Sequence, residues 1–235
     1  MGRFYDEAST HDATAYHATT QLHARCRSGP GRLRATGHPG SRDRGAQRRF
    51  SNLADVTDWV RINRSDPPGA SWHQGNPDVF PAHTGAPGAY VAASCLSTAN
   101  GVGLVDNWLI TPTLTLSGLT TLSLFTSRER VDGFDDLLEV RFGRGSATDA
   151  ASFDILLTSI GGAADFPAQW QPWHLDLTVD GTGRFAFRYR GDAAKLSHVG
   201  LDTVRVVTCL PEPTSRLLLA SGLGVLGLLR RHERH

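Results

Sequence analysis

The feature that most restricts this chain is a train of seven apolar runs, each short enough for a strand, with turn residues between them and no helical pattern in competition. They are Leu104–Ile110, Leu119–Phe125, Leu137–Phe142, Phe153–Ile160, Trp173–Val179, Arg184–Arg190 and Val199–Cys209. Aliphatic and aromatic residues at this density suit a pleated, half-buried surface. The breaks at Asp132-Gly133, Gly143–Gly145, Gly161-Gly162, Asp180-Gly181 and Gly191-Asp192 supply the backbone freedom that tight turns need. Alternation is clearest where Phe185, Phe187 and Tyr189 take one face and Arg184, Ala186, Arg188 and Arg190 the other. Strands without intervening helices must bury their apolar faces against each other. The predicted fold is therefore all-β, a jelly-roll β-sandwich of two antiparallel sheets.

A chain of 235 residues has room for one such domain with extensions. Residues 1–49 show neither strand nor helix periodicity and are predicted to be disordered, with His11, His17, His23 and His38 too irregularly spaced for a metal tract. The domain is assigned to residues 50–210. It carries eleven basic against seventeen acidic side chains, where the N-terminal segment carries nine against four. Phosphate binding needs cations clustered on a folded face, so nucleic acid is not an expected partner. Lys195 is the sole lysine, a bias that with abundant Ala and Gly fits a GC-rich genome.

Residues 211–235 change character again. Pro211 and Pro213, flanking Glu212, cannot extend a ladder, because each lacks an amide hydrogen. Leu217–Leu229 contains only Leu, Ala, Val, Gly and Ser, and Arg230 and Arg231 follow at once. As a helix this segment rises ~20 Å against a hydrocarbon core of ~30 Å, and cations at its end hold that end in the cytoplasm. A short, apolar C-terminal helix of this kind is suited to transient rather than permanent membrane residence.

The order Pro-Glu-Pro, short apolar helix, terminal arginines resembles the PEP-CTERM sorting signal of Gram-negative bacteria. That resemblance implies recognition of Pro211, Glu212, Pro213, Arg230 and Arg231 by an exosortase. It also implies passage through the inner membrane, and a final place at the cell surface or in an exopolysaccharide biofilm matrix. Arg216 and the His232-Glu233 interruption depart slightly from the pattern. The body resembles the choice-of-anchor J family through Trp59, Asn63 and Ser65, Trp72-His73-Gln74-Gly75-Asn76 with Phe80, Gly88–Ala93, Asn107-Trp108-Leu109-Ile110-Thr111-Pro112, Leu137–Val140 and Gly200–Val204. Such domains are similar to cleaved-adhesin and MAM-type jelly rolls. An exported chain needs an apolar N-terminal signal, which residues 1–49 do not contain, so a misplaced start or a frameshift before Phe50 is expected.

No Gly-x-Ser-x-Gly elbow, His-Glu-x-x-His helix or phosphate loop occurs, and the expected role is non-catalytic. Asp132, Asp135, Asp136 and Glu139 offer paired carboxylates of the kind glycosidases use, but in a Gly-containing hairpin they read as solvated turn residues. The jelly-roll resemblance implies a candidate calcium site at Asp202 with Asn52 or Asp55, since carboxylates and carbonyls at a sheet end satisfy a hard cation. Trp170 and Trp173, bordered by Pro167 and Pro172, are candidate sugar-stacking residues, whereas Trp108 reads as core, and His73 and His174 as structural. Cys95 and Cys209 read either as a disulfide or as two buried thiols.

Overall fold

The computed structural model describes residues 46–48, 58–162 and 164–208. Twelve strands follow in chain order: β1 (Ala46–Arg48), β2 (Val60–Asn63), β3 (His73–Gln74), β4 (Val91–Ser94), β5 (Leu104–Ile110), β6 (Leu114–Leu116), β7 (Leu119–Arg128), β8 (Leu137–Arg144), β9 (Ile155–Gly161), β10 (Gln171–Thr178), β11 (Gly181–Asp192) and β12 (His198–Thr208). Helix is confined, among the described residues, to three-residue 3-10 turns. One sheet runs β10-β7-β12-β4-β3 with β1 also on β12, and the other runs β2-β5-β11-β8-β9 with β6 also on β11. Every pairing is antiparallel. The fold is an all-β sandwich of jelly-roll type.

The two longest strands, β11 and β12, are central, and their alternation builds the core. Phe185, Phe187 and Tyr189 of β11 face Val199, Leu201, Val204 and Val206 of β12 in one apolar cluster that also takes in Trp59, Trp72, Leu122, Leu124, Val140 and Phe142. The inward phase of β12 moves from odd to even numbers between Leu201 and Val204. A bulge at Asp202-Thr203 causes this, with Thr203 at φ 50° and the register against β7 broken between Asp202 and Arg205. The bulge keeps both halves of an eleven-residue strand facing the core.

Several expected details shift. Phe153 precedes β9 and, with Trp108, Ile110 and Ala186, forms a small apolar cluster on the outer face of the β11 sheet. Trp108 is thus buried, but outside the main core. Gly143 lies within β8, and Gly181 and Gly191-Asp192 within β11, rather than in turns, and Gly133, Gly145, Gly161, Gly162, Gly181 and Gly191 all take positive φ. Asn63, Asn107 and Trp72 are framework residues. Asn63 donates to the carbonyls of Gly69, Ala70 and Ser97, Asn107 donates to Ala70 O and Ser97 Oγ, and the Trp72 indole donates to Asn107 O.

Cys95 is a free, half-buried thiol. It follows Ser94, the register partner of His198 at the start of β12. Cys209, its expected partner, lies outside the described residues.

Candidate functional site

Part of the outer face of the β12 sheet, around Gly200 and Asp202, is covered by the loops 75–90 and 164–170, while His174, Asp176 and Arg205 of the same sheet stay exposed. Gly200 makes this cover fit. A Cβ there would stand 2.8 to 2.9 Å from atoms of Phe80, Trp170 and Tyr90, whose rings rest on the bare backbone. Phe80 stacks on Tyr90 at 5.0 Å and meets Trp170 edge-on at 5.6 Å. His83 stacks on Phe125 of β7 at 3.6 Å. The Tyr90 hydroxyl donates to Asn76 O and accepts from Asn76 N, and burial pushes this phenol up to about 12. Gly200→Ala is expected to cost about 1–2 kcal/mol by overpacking and to lower the thermal midpoint, checked by calorimetry. A midpoint unchanged from the parent would mean that the rings are not seated as described.

Where the two loops meet beside β7 there is a cleft of about 520 Å³, a volume in the range of small-ligand sites. Its walls include Phe80, Pro81, Arg128, Arg130, Gln169 and Trp170. Trp170 is half-buried and held by its indole N–H, which donates to Pro81 O at 2.8 Å. Arg128 is held by the carbonyls of Phe166 at 3.1 Å, Glu129 at 3.0 Å and Val131. Arg130 is exposed and, among the described residues, bonds through its Nε to Ala168 O at 3.3 Å. An aromatic wall, a firmly held Arg128 and the exposed side chains of Arg130 and Gln169 thus share one opening.

Of the candidate sugar-stacking pair, only Trp170 reaches this cleft. Trp173 is on the inward phase of edge strand β10, packs against the main core and donates to Thr126 Oγ1 at 3.0 Å. The two indoles lie on opposite faces of one sheet, because Trp170 belongs to the loop folded over the outer face and Trp173 to β10, whose inward phase faces the core. The cleft arginines and Gln169 escaped the sequence reading. Their only local signal is a Ser-Arg-Glu-Arg run at the end of a strand, facing a Gln-Trp pair about forty residues on.

Asp202 is fully buried and its oxygens are already engaged. It accepts from Thr84 N at 3.0 Å, Thr203 N at 2.5 Å and Thr203 Oγ1 at 3.3 Å, tying the 75–90 loop to the bulge. Burial raises its carboxyl above the ordinary value in spite of these bonds. Asn52 and Asp55 lie outside the described residues, as do Pro211, Glu212, Pro213, Arg230 and Arg231. Among the described residues no three His, Cys, Asp or Glu side chains are grouped to hold a metal ion.

The acidic hairpin is not uniformly solvated, which corrects the sequence reading for two of its members. Asp136 is 1% exposed and accepts from Tyr189 Oη at 2.5 Å, Ser197 N at 2.9 Å and Ser197 Oγ at 2.6 Å. Burial, then the Asp136 charge, drives the Tyr189 phenol well above its ordinary value. Glu139, 6% exposed, sits on the outer face of the β11 sheet with Arg141 at 2.7 Å, Arg190 at 3.1 Å and Arg188 at 3.4 Å, and Arg188 continues to Asp106 at 2.6 Å. Burial disfavours the Glu139 charge, but the Arg141 hydrogen bond and the three guanidinium charges outweigh it and hold the carboxyl below its ordinary value. Asp136 faces the core and Glu139 the outside, so the pair does not flank one cleft. Asp132 and Asp135 are exposed.

No family model and no curated protein sequence matches the chain. Among solved structures, it is similar to the K1 cleaved adhesin domain of Lys-gingipain from Porphyromonas gingivalis W83. That match has a TM-score of 0.57 at 22% identity and covers 71% of this chain and 99% of that domain. The K3 cleaved adhesin domain of the same protein is similar at a TM-score of 0.50 and 21% identity, covering 64% of this chain and 92% of that domain. At this identity the likeness establishes a shared sandwich fold.

Proposed function

We propose that this chain is an exported, non-catalytic adhesion protein of a bacterial surface or extracellular matrix, and that it binds saccharide in the Trp170 cleft. The observation that carries this reading is the half-buried indole of Trp170, pinned by Pro81 O and Phe80, beside the guanidinium and amide groups of Arg130 and Gln169. A pyranose ring offers an apolar face to an aromatic wall and hydroxyls to planar donors, and a prearranged site loses little entropy on binding. The adhesin domains that share the fold support an adhesive role. So does the burial of Asp136 and Glu139 in structural networks, which leaves no facing carboxylate pair in the hairpin.

The Pro-Glu-Pro tail supports sorting by an exosortase in a Gram-negative bacterium and association with exopolysaccharide. In a host with that enzyme the chain is expected to lose its C-terminal residues, read by intact mass. An identical mass in a strain lacking the enzyme would overturn the sorting reading. For the cleft, a purified full-length chain is expected to be retained by saccharides on a glycan array, and Trp170→Ala to weaken retention about tenfold or more. Thermal midpoints of Trp170→Ala and Trp170→Phe, measured beside retention, separate loss of contact from loss of fold. Undiminished retention by a folded Trp170→Ala chain would refute the site.

A further inference from the structure

We infer that the saccharide taken by this cleft is acidic, carrying carboxylate groups as a uronate does; this rests on the glycan reading above and specifies its ligand class. The domain as a whole is acidic, with seventeen carboxylates against eleven cations over residues 50–210. Yet no carboxylate lines the cleft, and two arginines do. Glu129 stands between them in sequence but is not among the lining residues.

Three arginines of the β11 sheet are paired with carboxylates, whereas the two cleft arginines, among the described residues, are not. All four ion pairs among the described residues lie on the β11 sheet, where Arg141, Arg188 and Arg190 are matched by Glu139 and Asp106. Arg128 and Arg130 have no carboxylate partner among the described residues. Arg128 is fixed by three backbone carbonyls, which orient its plane without neutralising its charge. Arg130, anchored through Nε to Ala168 O, has both terminal nitrogens without a partner among the described residues.

A guanidinium held at one nitrogen and open at the other two presents the fork that accepts a planar carboxylate through two hydrogen bonds. Phe80 and Pro81 add apolar surface to the same lining. Trp170 then takes the ring that bears the carboxylate. A neutral sugar would leave two uncompensated cations in the cleft, whereas a uronate engages both the aromatic and the cationic side.

The test is calorimetric titration of the purified full-length chain with polygalacturonate, alginate and a glucuronate polymer, each beside its carboxyl-reduced form. At least one uronate polymer is expected to bind about tenfold or more tighter than its reduced form, with the difference shrinking as salt rises. Arg130→Gln should remove that preference, weakening binding of the uronate polymer far more than that of its reduced form. Equal affinity for charged and reduced forms, or a preference indifferent to Arg130→Gln, overturns the acidic-ligand inference while leaving saccharide binding intact. A folded chain that binds none of the six polymers overturns the inference together with the glycan reading.

Discussion

Replacing Asp136 by Ala is expected to destabilise the domain by about 3–5 kcal/mol, a large part of the stability of a typical domain. Its carboxylate accepts from three donors, the Tyr189 hydroxyl, the Ser197 amide and the Ser197 hydroxyl, in a place almost closed to water. Removing the acceptor strands all three donors, and each buried unpaired donor costs about 1–3 kcal/mol before relaxation. Asp136 also joins the layers, because Tyr189 belongs to β11 and Ser197 leads into β12. Asp136→Asn should cost less, about 1–2 kcal/mol, since its carbonyl still accepts from Tyr189. The exposed neighbour is the control: Asp135→Ala should stay within about 0.5 kcal/mol. Calorimetric midpoints that fall equally for Asp135→Ala and Asp136→Ala would show that the buried network is not what holds this corner.

Acidification is expected to remove about 3 kcal/mol of stability between pH 6.5 and pH 4 through His198. This side chain is 8% exposed, and its Nε2 has no hydrogen-bond partner among the described residues. The rings of His73, Phe80 and Tyr90 surround it at centroid distances of 5.7, 5.5 and 6.4 Å. Burial, then the neighbouring His73, lowers its pKa from 6.5 to about 4. Below pH 6.5 the unfolded chain takes up a proton that the folded chain refuses, so stability falls with pH and levels off below 4. Asp202 works in the opposite sense. Its raised carboxyl favours protonation of the folded state and offsets part of the loss. Glu139, held low, adds a further loss below its ordinary value. His198→Phe should flatten the acid limb without lowering stability at neutral pH, because an apolar ring replaces an unpaired polar one. Denaturant midpoints followed from pH 7.5 to 4 would test this, and an acid limb unchanged in His198→Phe would place the sensitivity elsewhere.

Both effects depend on contacts that no local pattern announces. The hairpin around Asp132-Gly133 reads as solvated because neighbouring residues along the chain are polar and turn-forming, and that is correct for Asp132 and Asp135. Asp136 differs only because β8 begins just after it and carries it beneath Tyr189, 53 positions away. Trp170 and Trp173 part for a related reason: Trp170 lies in the loop that folds back over the outer face, whereas Trp173 is in β10 with its ring on the core. The short strands β1, β3 and β6 and the small-residue strand β4 leave little pattern to read. In β4, Val91, Ala92 and Ala93 are all fully buried, so alternation disappears where both faces are covered.

The sequence by itself determined that this domain is an antiparallel sandwich, and where its longer strands run. Side-chain alternation and turn chemistry act over two to four residues, so both are written locally. It also carries the Pro-Glu-Pro tail as a linear motif. Only the tertiary structure decided which polar residues become buried clamps and which arginines remain open in a cleft. The partners that decide it lie far apart in the chain: 61 positions for Asp136 and Ser197, 89 for Trp170 and Pro81, and 118 for Asp202 and Thr84. Closing the sandwich is what brings them within hydrogen-bond reach, and that distance is a property of the fold, not of neighbouring residues in the chain.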